Sequence, residues 1–485
     1  MSTAALPVPG LPTRYPGAQP FADSDLSRKL FSGREQESNA LTHQILANRL
    51  VVLFARSGLG KTSLLNAGVI EALRDRGYLP LAVRLNDVEN GAIASLYSCI
   101  RTACLARSIE YVVGDDRDLW HFFKTAEFWQ DDVLLEPVLI LDQFEELFTL
   151  QSEAHRSAFI DQLSALVRGV RPDHGDAQSS TVLSDAPPRV KVVISMREDF
   201  LAHVEELSNR IPEILDNRFR LLPLSRAAAA KAIERPSTVV DEALATAPFR
   251  IGEDAKALIL DFLERRSGRR SASAAQIEPF QLQLICQYLE ELSTRLPGNW
   301  QDRPMSADDI GGEARLRRII TDFYRRQLAT VPLMQRLRVR SLCSESLISP
   351  SGRRLRVEES EIKRLTGVRA GTLQMLVERR LLRVEPSETG LYYELSHDSL
   401  VAPVLESRRA WFLLRSVLLA LFVVIVVGVF ALFMVYTGGF IMLGDLSAGD
   451  HLIVWPIAAL IGWFGLTWIR RMFREVVALW RRSRI

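Results

Sequence analysis

The segment from Ala55 to Thr62, ARSGLGKT, combines small residues with a lysine and a threonine at the spacing of a phosphate-binding loop. It follows an apolar run and precedes a segment with helical spacing, so backbone N–H groups and a helix N-terminus would face the phosphates. Lys61 would reach the β- and γ-phosphates, and the Thr62 hydroxyl would bind Mg²⁺. The pattern predicts binding of a nucleoside triphosphate, and ATP is the expected one.

The loop departs from the usual pattern at one position, because Ala55 stands where a first glycine is expected. Alanine can serve there if its backbone φ angle stays negative. The residues of this segment that we predict to contact the nucleotide are Ala55, Arg56, Ser57, Gly58, Leu59, Gly60, Lys61, Thr62 and Ser63.

A second motif, VLILDQFEE from Val138 to Glu146, places Asp142 at the end of an apolar strand, where a carboxylate can bind the Mg²⁺ of a nucleotide. The next residue is often a glutamate that activates water, but here it is Gln143. Glu145 or Glu146 could act as the base if the turn brings either one near the γ-phosphate, and the alternative is a helix-capping role. We therefore expect slow hydrolysis.

Arg197 follows another apolar strand, in VVISMRED, at the same sheet edge as the phosphate loop. A guanidinium there could read the γ-phosphate, and the alternative is an ion pair with Glu198 or Asp199. Arg218 or Arg220 could act on the nucleotide of a neighbouring copy.

The elements around these motifs alternate between strands and helices. Apolar runs predict strands at Leu50–Phe54, Leu81–Leu85, Val138–Leu141 and Val190–Ser195, with a helix at Thr62–Arg74. This order predicts an α/β domain with a mainly parallel sheet over residues 25–225, after an extended arm at 1–24. A helical domain is expected at 226–333, and a winged-helix domain with a hairpin wing at 334–410.

The C-terminal segment predicts a transmembrane hairpin over residues 411–469. Ser416–Tyr436 carries no charge and is long enough to cross a bilayer, and a second apolar run covers Leu452–Ile469. Arginines flank both runs, so the positive-inside rule predicts an inner-membrane protein with both termini in the cytoplasm. Residues 470–485 have the pattern of a basic amphipathic tail that lies on the lipid surface.

Composition gives little support to a nucleic-acid partner. The 485 residues carry a net charge of only +2, and the four cysteines lack metal-ligand spacing. Local clusters at Arg265, Arg266, Arg269 and Arg270, or at Arg353, Arg354 and Arg356, leave open an ATP-dependent DNA-binding protein that would use the winged helix.

Several motifs together resemble the STAND class of signal-transduction ATPases, and within it the novel STAND NTPases. The motifs that carry the resemblance are YPGAQPF, FSGRE, the phosphate loop, LDQFEELF, ISMREDF, LLPLS, PFQLQLICQYLEEL and LSHDSL.

The resemblance implies a five-stranded core with the Walker B and sensor strands adjacent, and a helical domain and winged helix that close over the nucleotide. It implies that Phe31, Gly33 and Arg34 flank the adenine and that Pro279 lies near the base. It also implies that His397 touches the β-phosphate in the ADP-bound resting form. A hydrogen-bonded core histidine is the alternative for that residue.

These expectations combine into a membrane-tethered ATP/ADP switch that hydrolyses ATP slowly to reset, in bacterial signalling or phage defence. Such a switch would form a homo-oligomer on activation and would act with a sensor or effector protein. An ATP-gated oligomeric membrane pore is a further alternative, although the two spans carry no Lys, Arg, Asp or Glu to line a pathway.

Overall fold

The computed structural model describes residues 11–85, 87, 90–172, 183–266, 276–296, 303–350, 352–379, 381–387, 390–396, 400–408, 425 and 428. The chain divides into two compact units. The first comprises Met1–Leu347 with Arg354–Val401, and the second comprises Ile348–Arg353 with Ala402–Ile485. All helices and strands named below belong to the first unit. The second unit contains a helical stretch at 402–408.

The described strands of the first unit form three separate sheets. In chain order they are β1 (Leu50–Ala55), β2 (Tyr78–Val83), β3 (Glu110–Val112), β4 (Glu127–Gln130), β5 (Val133–Leu134), β6 (Glu136–Asp142), β7 (Lys191–Arg197), β8 (Arg218–Arg220), β9 (Val357–Glu358), β10 (Leu382–Ser387) and β11 (Gly390–Leu395).

The helices alternate with the strands through the N-terminal half and then dominate. They are α1 (Asp25–Leu30), α2 (Glu35–Ala47), α3 (Lys61–Leu64), α4 (Ile70–Arg74), α5 (Gly91–Ala106), α6 (Leu119–Thr125), α7 (Glu145–Thr149), α8 (Glu153–Arg168), α9 (Leu201–Glu205), α10 (Arg226–Thr238), α11 (Glu253–Arg266), α12 (Pro279–Ser293), α13 (Ala307–Ile310), α14 (Gly312–Thr330), α15 (Leu333–Ser341), α16 (Glu359–Thr366) and α17 (Ala370–Glu378). A π-helical turn, Leu65–Val69, joins α3 to α4.

The central sheet has five strands in the order β2-β6-β7-β1-β8, and all four pairings are parallel. Its inner strands are apolar and buried along almost their whole length, as expected for a parallel sheet with helices on both faces. This confirms the predicted α/β fold with a five-stranded parallel sheet. Because β6 pairs with β7, and β7 with β1, the ends of the three motif-bearing strands meet at one edge.

The helical region after the sheet has its own core, formed by α10, α11, α12 and α14. Two residues of the N-terminal arm belong to it, because the side chains of Arg14 and Tyr15 are fully buried there. The Arg14 guanidinium donates to Thr246 and to three backbone carbonyls, and its backbone N–H donates to Glu290 at 2.9 Å. The arm from Arg14 onward is thus anchored in the helical core.

The C-terminal part of the first unit contains α15, α16 and α17 followed by β10 and β11. These two strands form an antiparallel pair, and β9 pairs antiparallel with β11. We call this three-stranded sheet the C-terminal sheet. Its assignment as the wing of a winged-helix domain stays a prediction, as do the predicted domain boundaries.

The predicted transmembrane hairpin and inner-membrane location require correction. A span needs roughly 20 mainly apolar residues in one helix, and no helix in the described part of the chain is both long and apolar enough. The longest helix among the described residues, α14, has 19 residues and carries arginines and acidic residues along its length. The residues predicted as spans lie outside the described residues apart from Ile425 and Gly428.

Candidate functional site

The phosphate loop lies between β1 and α3. Gly58 and Gly60 have φ angles of 78° and 89°, in the left-handed region that favours glycine. Ala55 is instead the last residue of β1 and pairs with Arg197 of β7. An extended strand residue needs no positive φ, which explains why alanine is tolerated in place of the expected glycine.

Three polar side chains meet where β6 and β7 end beside α3. The Thr62 hydroxyl donates to Asp142 Oδ2 at 2.9 Å, and the Ser195 hydroxyl donates to Asp142 Oδ1 at 2.7 Å. The two residues predicted to bind Mg²⁺ are therefore adjacent. Ser195 was not predicted, although its position one strand away from Asp142 could have indicated the contact.

Lys61 lies in the same space, with its Nζ 3.4 Å from the Ala55 carbonyl oxygen. Burial lowers the pKa of this ammonium group, and the negative charges of Glu145 and Asp142 partly oppose that effect. A phosphate group at this position would add negative charge beside the ammonium group.

The turn after Asp142 separates the two candidate bases. Gln143 has a φ angle of 58°, which is unusual for a residue with a side chain and which sets the direction in which α7 begins. Glu145 is 2% exposed, and it accepts a hydrogen bond from the Arg197 backbone N–H at 3.2 Å. Glu146 Oε2 is buried and has no hydrogen-bond partner among the described residues.

The surroundings of Glu146 favour its protonated form. Burial raises the pKa of Glu146 to about 7; the positive charge of Arg84 opposes the rise, and the charge of Glu145 adds to it. A carboxyl group with a pKa near neutrality is suited to proton exchange. Glu146 does not line the phosphate cavity, whereas Glu145 does.

Arg197 is buried and fully engaged in ion pairs. Its Nε and Nη2 donate to the two carboxylate oxygens of Asp199 at 2.9 and 2.6 Å, and its Nη1 donates to Glu394 Oε1 at 2.8 Å. The pair with Asp199 matches one of the alternatives predicted from the sequence. The contact with Glu394 of β11 could not be predicted from the local sequence, since the two residues are far apart in the chain.

The C-terminal sheet supplies a second ion pair to the same site. Arg383 of β10 donates to Glu145 Oε1 at 2.9 Å. Arg354 and Arg356 lie near Glu394, with nitrogen–oxygen distances of 3.3 and 3.7 Å. Arg220 is at the edge of the central sheet and pairs with Glu198, and Arg218 is exposed in the same strand.

Two adjoining cavities extend from the loop. The phosphate cavity is lined by predicted residues, Ser57, Gly58, Gly60, Lys61, Thr62, Ser63, Asp142, Glu145, Arg197 and Pro279, and also by Arg84, Gln143 and Arg383. The second cavity, which we call the base cavity, shares Gly60, Ser63, Pro279 and Gln283 with it and adds Phe31, Ser32, Arg34 and Leu59 among others.

Not every predicted residue lines a cavity. Gly33, Ala55 and Arg56 line neither one. Gly33 has a φ angle of 84° and passes close to the Ala228 carbonyl, so it brings the chain against α10. Arg34 lines the base cavity, but its guanidinium pairs with Glu37 at 2.6 Å and donates to two backbone carbonyls. His397 lies outside the described residues.

The sheet order, the loop after β1 and the aspartate at the end of β6 together define a nucleotide-binding P-loop NTPase. The model of the Novel STAND NTPase 1 family matches residues 14–417. The chain therefore belongs to the novel STAND NTPase 1 family.

No curated protein matches the chain in sequence. Among solved structures, a Walker-type ATPase of Pyrococcus abyssi is similar at 12% identity and a TM-score of 0.37, covering 80% of this chain and 98% of that one. The ORC2 protein of Aeropyrum pernix, in ADPNP and ADP complexes, has 12% identity, a TM-score of 0.36 and coverages of 78% and 95%. Cdc6p of Pyrobaculum aerophilum has 14% identity, a TM-score of 0.34 and coverages of 77% and 93%.

Proposed function

We propose that this chain is an ATP/ADP-dependent switch in which the C-terminal sheet holds the catalytic side chains in a resting state. The observation that supports this proposal is two ion pairs of opposite polarity between the nucleotide site and this sheet, one buried and one partly buried. Glu145 is bound to Arg383, and Arg197 is bound to Glu394. Both residues of the nucleotide site are thereby neutralised by the same small sheet.

The first ion pair affects hydrolysis. The Glu145 carboxylate accepts hydrogen bonds from the Arg383 guanidinium and from the Arg197 backbone N–H, so both of its oxygens are already engaged in the resting state. Release of Arg383 would free Glu145 Oε1 of its hydrogen bond at the phosphate cavity, which Glu145 lines. Slow hydrolysis is then a property of the resting arrangement, with Glu146 as the second candidate base.

The second ion pair affects the sensing of the γ-phosphate. The Arg197 guanidinium already donates to Asp199 and Glu394. A γ-phosphate would compete with Glu394 for the same donors, because charge-assisted hydrogen bonds to phosphate are strong. ATP would thus weaken the hold of the C-terminal sheet, and ADP would leave it in place.

The remaining site residues would bind the nucleotide itself. Lys61 and the backbone of the loop would hold the phosphates, and Thr62 and Asp142, which touch each other, offer oxygen ligands of the kind that Mg²⁺ prefers. Bound Mg²⁺ would neutralise charge on the phosphates. Phe31, Pro279 and Arg34 would surround the base.

Opening of the C-terminal sheet would expose surfaces for a homo-oligomer or an effector protein, and a signalling or defence role for this output is part of the proposal. The DNA-binding alternative loses support, since Arg354 and Arg356 lie near Glu394.

The proposal is tested by the oligomeric state of the full chain, measured by light scattering with ADP and with a non-hydrolysable ATP analogue. We expect a monomer with ADP and a larger species with the analogue. The Lys61→Ala variant, which lacks the phosphate-binding ammonium group, should stay monomeric in both. A wild-type monomer in both nucleotides would contradict the switch.

A further inference from the structure

The base cavity contains two polar atoms without a hydrogen-bond partner among the described residues. They are Ser32 Oγ and Gln283 Oε1, and both are buried. Ser32 is 7% exposed and follows Phe31 at the end of α1, whereas Gln283 belongs to α12. Buried polar atoms without partners are costly, so their presence in one cavity indicates that a ligand satisfies them.

The position of these atoms fits the base of a nucleotide. Gln283 lies one helical turn after Pro279, so the two residues share a face of α12, and both line the phosphate and the base cavities. Ser32 lies next to Phe31, whose ring also lines the base cavity. The rest of that lining is mainly apolar, and the Arg34 guanidinium there is occupied by Glu37 and two carbonyls.

We propose that Gln283 and Ser32 read the edge of the purine and select adenine over 6-oxo purines. The inference rests on nucleotide binding at this site and names the base it takes.

A carboxamide has one acceptor beside one donor, which matches the 6-amino group and N7 of adenine. A 6-oxo purine presents two acceptors on that edge, so Gln283 Oε1 would face another oxygen. The Ser32 hydroxyl can donate to or accept from a further ring position. Guanine would in addition bring a 2-amino group into a largely apolar cavity.

The expected affinity ratio follows from the cost of leaving polar groups unpaired when a 6-oxo purine is bound. A site built to hydrogen-bond a substrate group discriminates strongly against an analogue that lacks it. A single neutral hydrogen bond corresponds to about tenfold in affinity. We therefore expect the full chain to bind ADP at least about tenfold more tightly than IDP, which differs from it only at position 6 and N1.

The test is competition of ADP and IDP against a fluorescent ADP on the full chain. Gln283→Leu should reduce the ADP-over-IDP ratio to about twofold, and Ser32→Ala should reduce it by a smaller factor. Gln283→Glu keeps an acceptor for the 6-amino group and should keep the preference. Gln287→Leu makes the same change on the same helix outside both cavities and should leave the ratio unchanged.

Equal binding of ADP and IDP by the wild type would overturn the base selection while leaving the switch intact. An unchanged ADP-over-IDP ratio in Gln283→Leu, with thermal unfolding like that of the wild type, would show that Gln283 does not select the base. Failure to bind any nucleotide would overturn both proposals.

Discussion

Replacing Arg383 with methionine should loosen the hold of the C-terminal sheet on the nucleotide site. The Arg383 guanidinium is 2.9 Å from Glu145, and the two side chains are 21% and 3% exposed. Methionine keeps an unbranched apolar stem and removes the charge. The substitution therefore removes the ion pair and changes the packing of β10 little.

The expected magnitude follows from the burial of this pair. Exposed ion pairs contribute up to about 1 kcal/mol, while breaking a fully buried pair costs about 3–5 kcal/mol. For one buried and one partly exposed partner we expect about 2–3 kcal/mol, discounted for solvent at Arg383. If this free energy acts on the closed-to-open equilibrium, the open population increases about 30- to 150-fold.

The assay is the release rate of a fluorescent ADP in a stopped-flow experiment, measured on the full chain. Arg383→Met should release ADP faster, by up to the same factor. Arg364→Met is the matched control, because Arg364 forms an exposed pair with Glu361 in the same region, with its side chain 75% exposed. Equal release rates for the two variants would refute the holding role of Arg383.

Three further changes have defined outcomes. Glu146→Gln should remove any rise of ATP hydrolysis with pH through about 7, measured by phosphate release, since only the ionised carboxylate accepts a proton. Burial raises this pKa, so the free energy of unfolding falls as pH rises from the ordinary carboxyl range to about 7. Glu146→Gln should therefore stabilise the chain by about 3 kcal/mol at pH 8 and little at pH 4 in denaturant titrations. Gly33→Ala should lose about 2 kcal/mol or more, because a methyl group at φ 84° meets the Ala228 carbonyl. Lys61→Met should abolish ADP binding in calorimetry while the chain stays folded.

The central sheet could be predicted because each inner strand is a short apolar run that ends in a polar motif. The predicted strand Val138–Leu141 corresponds to β6, Glu136–Asp142, and Val190–Ser195 corresponds to β7, Lys191–Arg197. The edge strand β8 was missed because its short sequence, RFR, alternates between exposed and half-buried side chains and has no apolar run. The small sheet of β3, β4 and β5 was missed for a similar reason.

The contacts that define the resting arrangement could not be predicted from local pattern. Arg383 and Glu145 are far apart in sequence, and nothing in the composition of β10 distinguishes this arginine from exposed ones. Arg14 shows the same limit, because a Pro- and Gly-rich arm favours an extended solvent-exposed segment until its tertiary partner Glu290 is known. Charge pairing between distant segments depends on the folded arrangement.

Opening of the C-terminal sheet on exchange of ADP for ATP can be measured as the distance between the NTPase domain and the C-terminal sheet region in each nucleotide state. Spin labels at Asp75→Cys and Gln374→Cys, both exposed positions, would report it in a Cys99→Ser background, since the other cysteines are buried. We expect one short distance with ADP and a longer or broader distribution with a non-hydrolysable ATP analogue, with Lys61→Ala remaining at the ADP distance. Identical distributions in the two nucleotide states would contradict a nucleotide-dependent opening.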